Sequence, residues 1–159
     1  MRKTAELLSL AALAALVFIT INVFYGPHPL PGKIPVHFDG AGHVNGWGSP
    51  ATLLFFPIFA GAMYIVLTVV ARFPSTFNYP VQVTELNRER LEGLTLDLLA
   101  WIKAEIILFS GWMELAWGQA VRHPELGFKP SPVFVFLGIL FATIIGHIAA
   151  MFRARNPTQ

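Results

Sequence analysis

The chain contains no cysteine. A disulfide framework, a thiolate metal site and a cysteine nucleophile are therefore excluded. Charge is scarce as well. Only 13% of the 159 residues are Asp, Glu, Lys or Arg, about half the roughly 25% of an ordinary soluble domain. A disordered chain shows the opposite balance, high charge with little apolar content. HExxH, GxSxG and P-loop signatures are missing from the sequence, so no enzyme is expected, and no catalytic residue, cofactor or metal is assigned. There is no internal repeat and no low-complexity tract. What the chain does have is apolar content, 55% hydrophobic residues with a mean hydropathy of +0.60. The pI of about 9.2 rests on a net charge of only +2. Without clustering, that surplus does not make a nucleic-acid surface, and no nucleic-acid partner is expected.

The apolar residues collect in four blocks, Leu7–Phe24, Leu53–Ala71, Leu94–Trp117 and Val133–Phe152. About 20 apolar residues in a helix cross the roughly 30 Å of bilayer hydrocarbon. The expected fold is an all-α membrane protein, one domain over residues 1–159, with transmembrane helices at 7–24, 51–72, 94–117 and 133–152. The first, second and fourth blocks hold no Asp, Glu, Lys or Arg. The third carries Asp97, Lys103, Glu105 and Glu114. It reads as a span because it lies between two clear ones, and a helix lying in the interface is its alternative. Met1-Arg2-Lys3 resembles a signal-peptide start, but no small-x-small pair follows at Ile21–Tyr25. The first helix is therefore expected to be retained.

Boundary chemistry refines these spans. Ser49-Pro50 and Ser131-Pro132 read as N-cap and N1 of the second and fourth helices, since Ser satisfies an orphan amide and Pro has none to satisfy. Pro57 is expected to kink the second helix. Thr84 reads as the N-cap of the third. Its first turns, TELNRERLEG, would then project as a solvated extension with Glu85–Arg88 and Arg88–Glu92 pairs.

Residues 25–50 form the expected outer loop and 73–93 the cytoplasmic one. Eleven of the chain's 25 Gly and Pro residues lie between Tyr25 and Pro50. Such a loop is either flexible or folded around special backbone angles. The alternation Ile34, Val36, Phe38 before Asp39-Gly40 predicts a short strand and turn. Trp47 suits a membrane interface. With four spans both termini share one side, together with Arg2, Lys3, Arg72, Arg88, Arg90, Arg153 and Arg155. The other side holds Lys33, Arg122 and Lys129. Positive charge marks the cytoplasmic side, which predicts N-in and C-in.

Two groups of residues are candidates for function. An ionisable group at the centre of a spanning helix costs at least ~2.5 kcal/mol, so each one points to a role. Lys103 and Glu105 lie near the middle of the third span and project to nearly opposite faces. Lys103 and Glu114 share a face three turns apart. His147 of the fourth helix is expected near the depth of Lys103. These residues and Asp97 form either a polar path or a set of interhelical hydrogen bonds. In the loop, His37, Asp39 and His43 have a weak metal-ligand pattern. The simpler expectation is that His37 bonds to backbone and orders the turn. Pro35, Gly42 and Trp47 suit a rigid loop, which serves architecture and recognition equally well.

Leu30-Pro31-Gly32-Lys33-Ile34-Pro35-Val36-His37-Phe38, then Gly42 and Trp47, form an LPxxIPxHF…G…W pattern between two apolar helices. It resembles the small bacterial membrane domain of unknown function found at the N-terminus of SdpI-type toxin-immunity proteins, in its stand-alone short form. Gly48-Ser49-Pro50 stands where members often carry a polar or charged residue. A second segment, Asn78, Tyr79 and Pro80 before a charged helix, resembles the stand-alone members. The resemblance implies a fold and a multi-pass location in a bacterial inner membrane, with no established reaction. The expected partners are membrane lipids, with a homo-oligomer or a small extracytoplasmic ligand as further candidates. The expected role is binding or sensing a peptide, lipid or toxin through the outer loop. An oligomeric transporter or channel component using Lys103, Glu105 and His147 is the alternative.

Overall fold

A computed structural model describes residues 2–155. Its first helix, α1, runs Arg2–Tyr25, followed by strands β1 at Ile34–Phe38 and β2 at Val44–Gly48. A 3-10 turn at Pro50–Leu54 leads into α2, Phe55–Val70. Helix α3 spans Arg88–Arg122 and α4 spans Ser131–Arg153. Among the described residues, three helical segments are long and apolar enough to cross a membrane: Arg2–Tyr25, Pro50–Val70 and Ser131–Arg153. Their lengths match the bilayer requirement at 1.5 Å of rise per residue.

Helix α3 is the central element. Helix α1 lies parallel to it, with Glu6 facing Lys103 and Thr20 facing Glu114. Helices α2 and α4 run antiparallel to it. Thr68 and Phe56 of α2 meet Lys103 and Trp117, and Thr143 and Phe136 of α4 meet Glu105 and Phe109. Lipid tails are as apolar as Leu, so helices in a bilayer are held by close packing rather than by water exclusion. The contact surfaces fit that requirement. The buried residues of α1 are Ala5, Ser9, Ala12, Leu16 and Val23, and those of α3 include Ala100, Ala104, Ser110 and Gly118, the last against Val23. Small side chains let the two backbones approach.

The packed side chains form three layers. At the hairpin end, Val23, Ile34, Leu53, Phe56 and Val121 pack together, joining α1, β1, α2 and α3. The middle layer is Ala12, Leu16, Ala60 and Ile107. At the opposite end Val81, Leu91, Met151 and Ala154 tie the α2–α3 connection to α4. Most of the large apolar side chains of α4 face outward, including Phe134, Phe141 and Ile145. That pattern suits a lipid-facing helix.

Several boundaries differ from expectation. Ser49 does cap Pro50–Leu54, its hydroxyl accepting from Ala51 N at 3.2 Å. That segment is 3-10, and α geometry begins only at Phe55. Pro57 therefore falls in the first turn of α2, where a missing amide costs no intrahelical bond. Thr84 does not cap α3, which starts at Arg88. Instead Asn87, almost fully buried, accepts from Thr84 N at 2.8 Å and donates to Gln82 O at 3.0 Å. A side chain that closes the preceding turn onto itself holds residues 82–87 outside the helix. Glu85 thus precedes α3, and the helical pair that forms is Arg88–Glu92 at 3.8 Å. Ser131 makes no cap bond, because the N-cap position of α4 is Pro130.

Candidate functional site

The Gly/Pro-rich loop is folded. Strands β1 and β2 pair antiparallel, with Pro35 opposite Trp47, His37 opposite Gly46 and Phe38 opposite Val44, and with two irregularities in register. The turn is closed by Asp39, whose Oδ1 accepts from Ala41 N and His43 N, both at 2.9 Å. The His43 amide foremost, with the Ala41 amide, holds this carboxyl below its ordinary value. Asp39 Oδ2 also lies 3.3 Å from His43 Nδ1. Asp39-Gly40 was the expected turn, yet the left-handed residue is Gly42, at φ 89°.

Gly42 is also where the hairpin docks. Its carbonyl accepts from Phe128 N at 2.8 Å, in the α3–α4 connection. A Cβ on Gly42 would run into Phe128 O. Pro35 is fully buried, and its carbonyl accepts from Trp117 Nε1 at 2.5 Å. Phe38 lies 5.3 Å from both Trp117 and Phe128, Trp117 edge-on. Aromatic pairs at such distances add to the burial of their area. Pro35, Phe38 and Gly42 therefore face the helices. His37 and Trp47 are exposed, Trp47 at 55%. His37 is not buried and does not bond to backbone: its Nδ1 meets Asn45 Oδ1 across the hairpin. No group of three or more His, Cys, Asp or Glu residues able to hold a metal occurs among the described residues.

The polar residues of α3 and α4 do not form one cluster. Lys103, only 2% exposed, donates to Glu6 Oε2 at 2.6 Å and to Thr68 Oγ1 at 3.0 Å. The Tyr64 ring lies 4.7 Å from the same ammonium, within cation–π range. Lys103 is thus level with the first turns of α1 rather than with its middle. Glu105 points the other way and accepts from Thr143 at 2.5 Å. His147 donates or accepts nothing from Lys103. Its Nδ1 lies 2.8 Å from Thr143 O in its own helix. Asp97 is half-buried and joins neither group. Glu114 is fully buried, with Oε2 2.8 Å from the Thr20 hydroxyl, which also lies 2.9 Å from Leu16 O. One hydroxyl proton serves two acceptors there. Glu105 Oε2 and Glu114 Oε1 make no hydrogen bond among the described residues.

At the opposite end, Tyr79 donates to Pro74 O at 2.8 Å and packs on the layer of Val81, Leu91 and Met151. Burial raises its phenol above the ordinary value. Asn78 and Pro80 are exposed and line a groove of about 520 Å³ together with Tyr79, Thr95, Ile148 and Met151.

Sequence reasoning missed Glu6, Thr68, Trp117 and Phe128. Glu6 carried a signal, as an acid one residue before an apolar run. Trp117 carried another, as an indole whose N–H needs an acceptor once buried. No curated protein and no solved structure matches the chain. Residues 12–61, which run from α1 through the hairpin into α2, are similar to a family described as a domain of unknown function, DUF1648.

Proposed function

We propose that the chain is a multi-pass protein of the bacterial inner membrane, not an enzyme, whose docked hairpin binds or senses a peptide, lipid or toxin at the outer surface. The observation that carries this reading is the division of labour in the hairpin. Pro35, Phe38 and Gly42 hold it to α3 and the α3–α4 connection. His37 and Trp47 remain exposed. A segment that merely joins two helices needs neither the dock nor the display.

Helix α3 is the fourth span in this reading. Its support is that Lys103, Glu105 and Glu114 are each engaged by a neighbouring helix, as polar residues within a bilayer must be. The excess of basic residues on the side of the termini supports N-in and C-in. An immunity-like or signalling-like role is what the LPxxIPxHF resemblance adds. A transport path would rest on Lys103, Glu105 and His147 together, and these residues serve different neighbours.

The test is complementation. Cells lacking the gene are challenged with a panel of membrane-active peptides, and the natural chain restores their resistance. His37→Ala and Trp47→Ala should reach the membrane at normal levels yet fail to restore it. Variants that fail to accumulate, or that restore resistance fully, would overturn the reading.

A further inference from the structure

At the hairpin end, a groove of about 460 Å³ lies between α3 and the α3–α4 connection, lined by Trp112, Leu115, Ala116, Gln119, Phe128 and Lys129 among others. Its walls are mostly apolar. Lys129 is exposed at the groove and forms no ion pair among the described residues. It stands two residues before α4 begins at Ser131, the place where an apolar helix enters a bilayer. Beyond the groove, α3 carries the exposed Leu108. Gln119, Leu115, Trp112 and Leu108 follow one another at spacings of three and four residues, which is one stripe of a helix. Leu115 and Leu108 are 49% and 45% exposed, so α4 leaves this track open.

An unpaired cation at headgroup level above an apolar track is the complement of one molecule type, an anionic lipid. We propose that this groove binds a single anionic phospholipid, with its headgroup charge on Lys129 and an acyl chain along Trp112, Leu115 and Leu108. The proposal rests on the membrane reading of α3 and α4. A free phosphate would leave the apolar track empty. A zwitterionic lipid would bring its own cation against Lys129. The site also touches the hairpin dock. Phe128 forms a wall of the groove, lies 5.3 Å from Phe38 and donates its amide to Gly42 O. A seated lipid therefore props the connection on which the hairpin rests.

The test uses the full chain extracted from vesicles of equal phosphatidylglycerol and phosphatidylcholine, with retained lipid counted by native mass spectrometry. One phosphatidylglycerol should be kept in preference to phosphatidylcholine. Lys129→Gln, an exposed change that leaves folding alone, should lower that preference about five-fold, the worth of one cation at an anionic headgroup. Ala116→Phe should fill the groove and release the retained lipid. Equal retention of the two lipids by the natural chain, an undiminished preference in Lys129→Gln, or unchanged retention in Ala116→Phe would overturn the proposal. A chain that never enters the vesicles would overturn the membrane reading along with it.

Discussion

Lys103 on α3 and Glu6 on α1 form an ion pair at 2.6 Å whose two members differ sharply in exposure, 2% against 37%. The asymmetry decides what each substitution does. Removing Glu6 strands an ammonium in the helix interface with only Thr68 and the Tyr64 ring for company. Removing Lys103 leaves a carboxylate that already reaches the surroundings. Breaking a buried pair costs about 3–5 kcal/mol when the survivor stays buried. Glu6→Gln should therefore destabilise by about 2–4 kcal/mol, discounted for the partial exposure of the pair. Lys103→Met, which fills the same space without a charge, should cost under about 1.5 kcal/mol. Adding Lys103→Met to Glu6→Gln should restore stability. Thermal unfolding in detergent, followed by circular dichroism, measures all three. Equal costs for the two single variants would contradict the assignment.

Gly42 adopts φ 89° and receives Phe128 in a backbone hydrogen bond. Gly42→Ala imposes two costs at once, a positive φ on an L residue and a Cβ against Phe128 O. The first alone is worth about 1–2 kcal/mol. The substitution should undock the hairpin with the helices intact. Proteolysis within residues 39–46 should accelerate at least ten-fold, corresponding to about 1.4 kcal/mol, while the helical signal stays constant.

How much of this could be read beforehand depends on the range of the cause. The apolar runs were legible because a bilayer selects length and composition, both of them local. The hairpin was legible in Ile34, Val36 and Phe38, since alternation is local too. The dock was not, because Gly42 meets Phe128 across 86 residues of chain. The rotational phase of α1 against α3 decides that Lys103 finds Glu6, and no local pattern records it. The third helix begins three residues later than Thr84 suggests for a different reason. Thr84 has the right chemistry for a cap, but Asn87 closes the turn first and takes the Thr84 amide.

Trp117 reaches across to the hairpin, its indole donating to the buried Pro35 carbonyl. Trp117→Phe keeps most of the ring packing against Phe38, Phe56 and Phe128 and deletes the donor. A buried acceptor left without a partner costs about 1–3 kcal/mol. Hydrogen exchange should accelerate by that amount at the amides of β1 and β2 and remain unchanged in the middle of α3. Uniform acceleration along α3 would mean that the indole supports the bundle rather than the hairpin.

Asp39 supplies a pH dependence whose sign follows from its lowered carboxyl value. A group more acidic in the folded chain than in the unfolded one stabilises the fold while it is ionised. That contribution is fully present above the unfolded carboxylate value, near 3.9. It is lost as pH falls through the lower folded value. The hairpin turn should therefore hold from neutrality down to about pH 4 and loosen below it. Asp39→Asn keeps a side-chain oxygen for the Ala41 and His43 amides, so the turn should form but lose this acid sensitivity. Asp39→Ala removes the acceptor, and the Ala41 and His43 amides should then exchange quickly at every pH. Amide exchange at those two positions, read between pH 3 and pH 7, separates the cases. A turn equally protected in Asp39→Ala would show that the Gly42–Phe128 dock alone holds it.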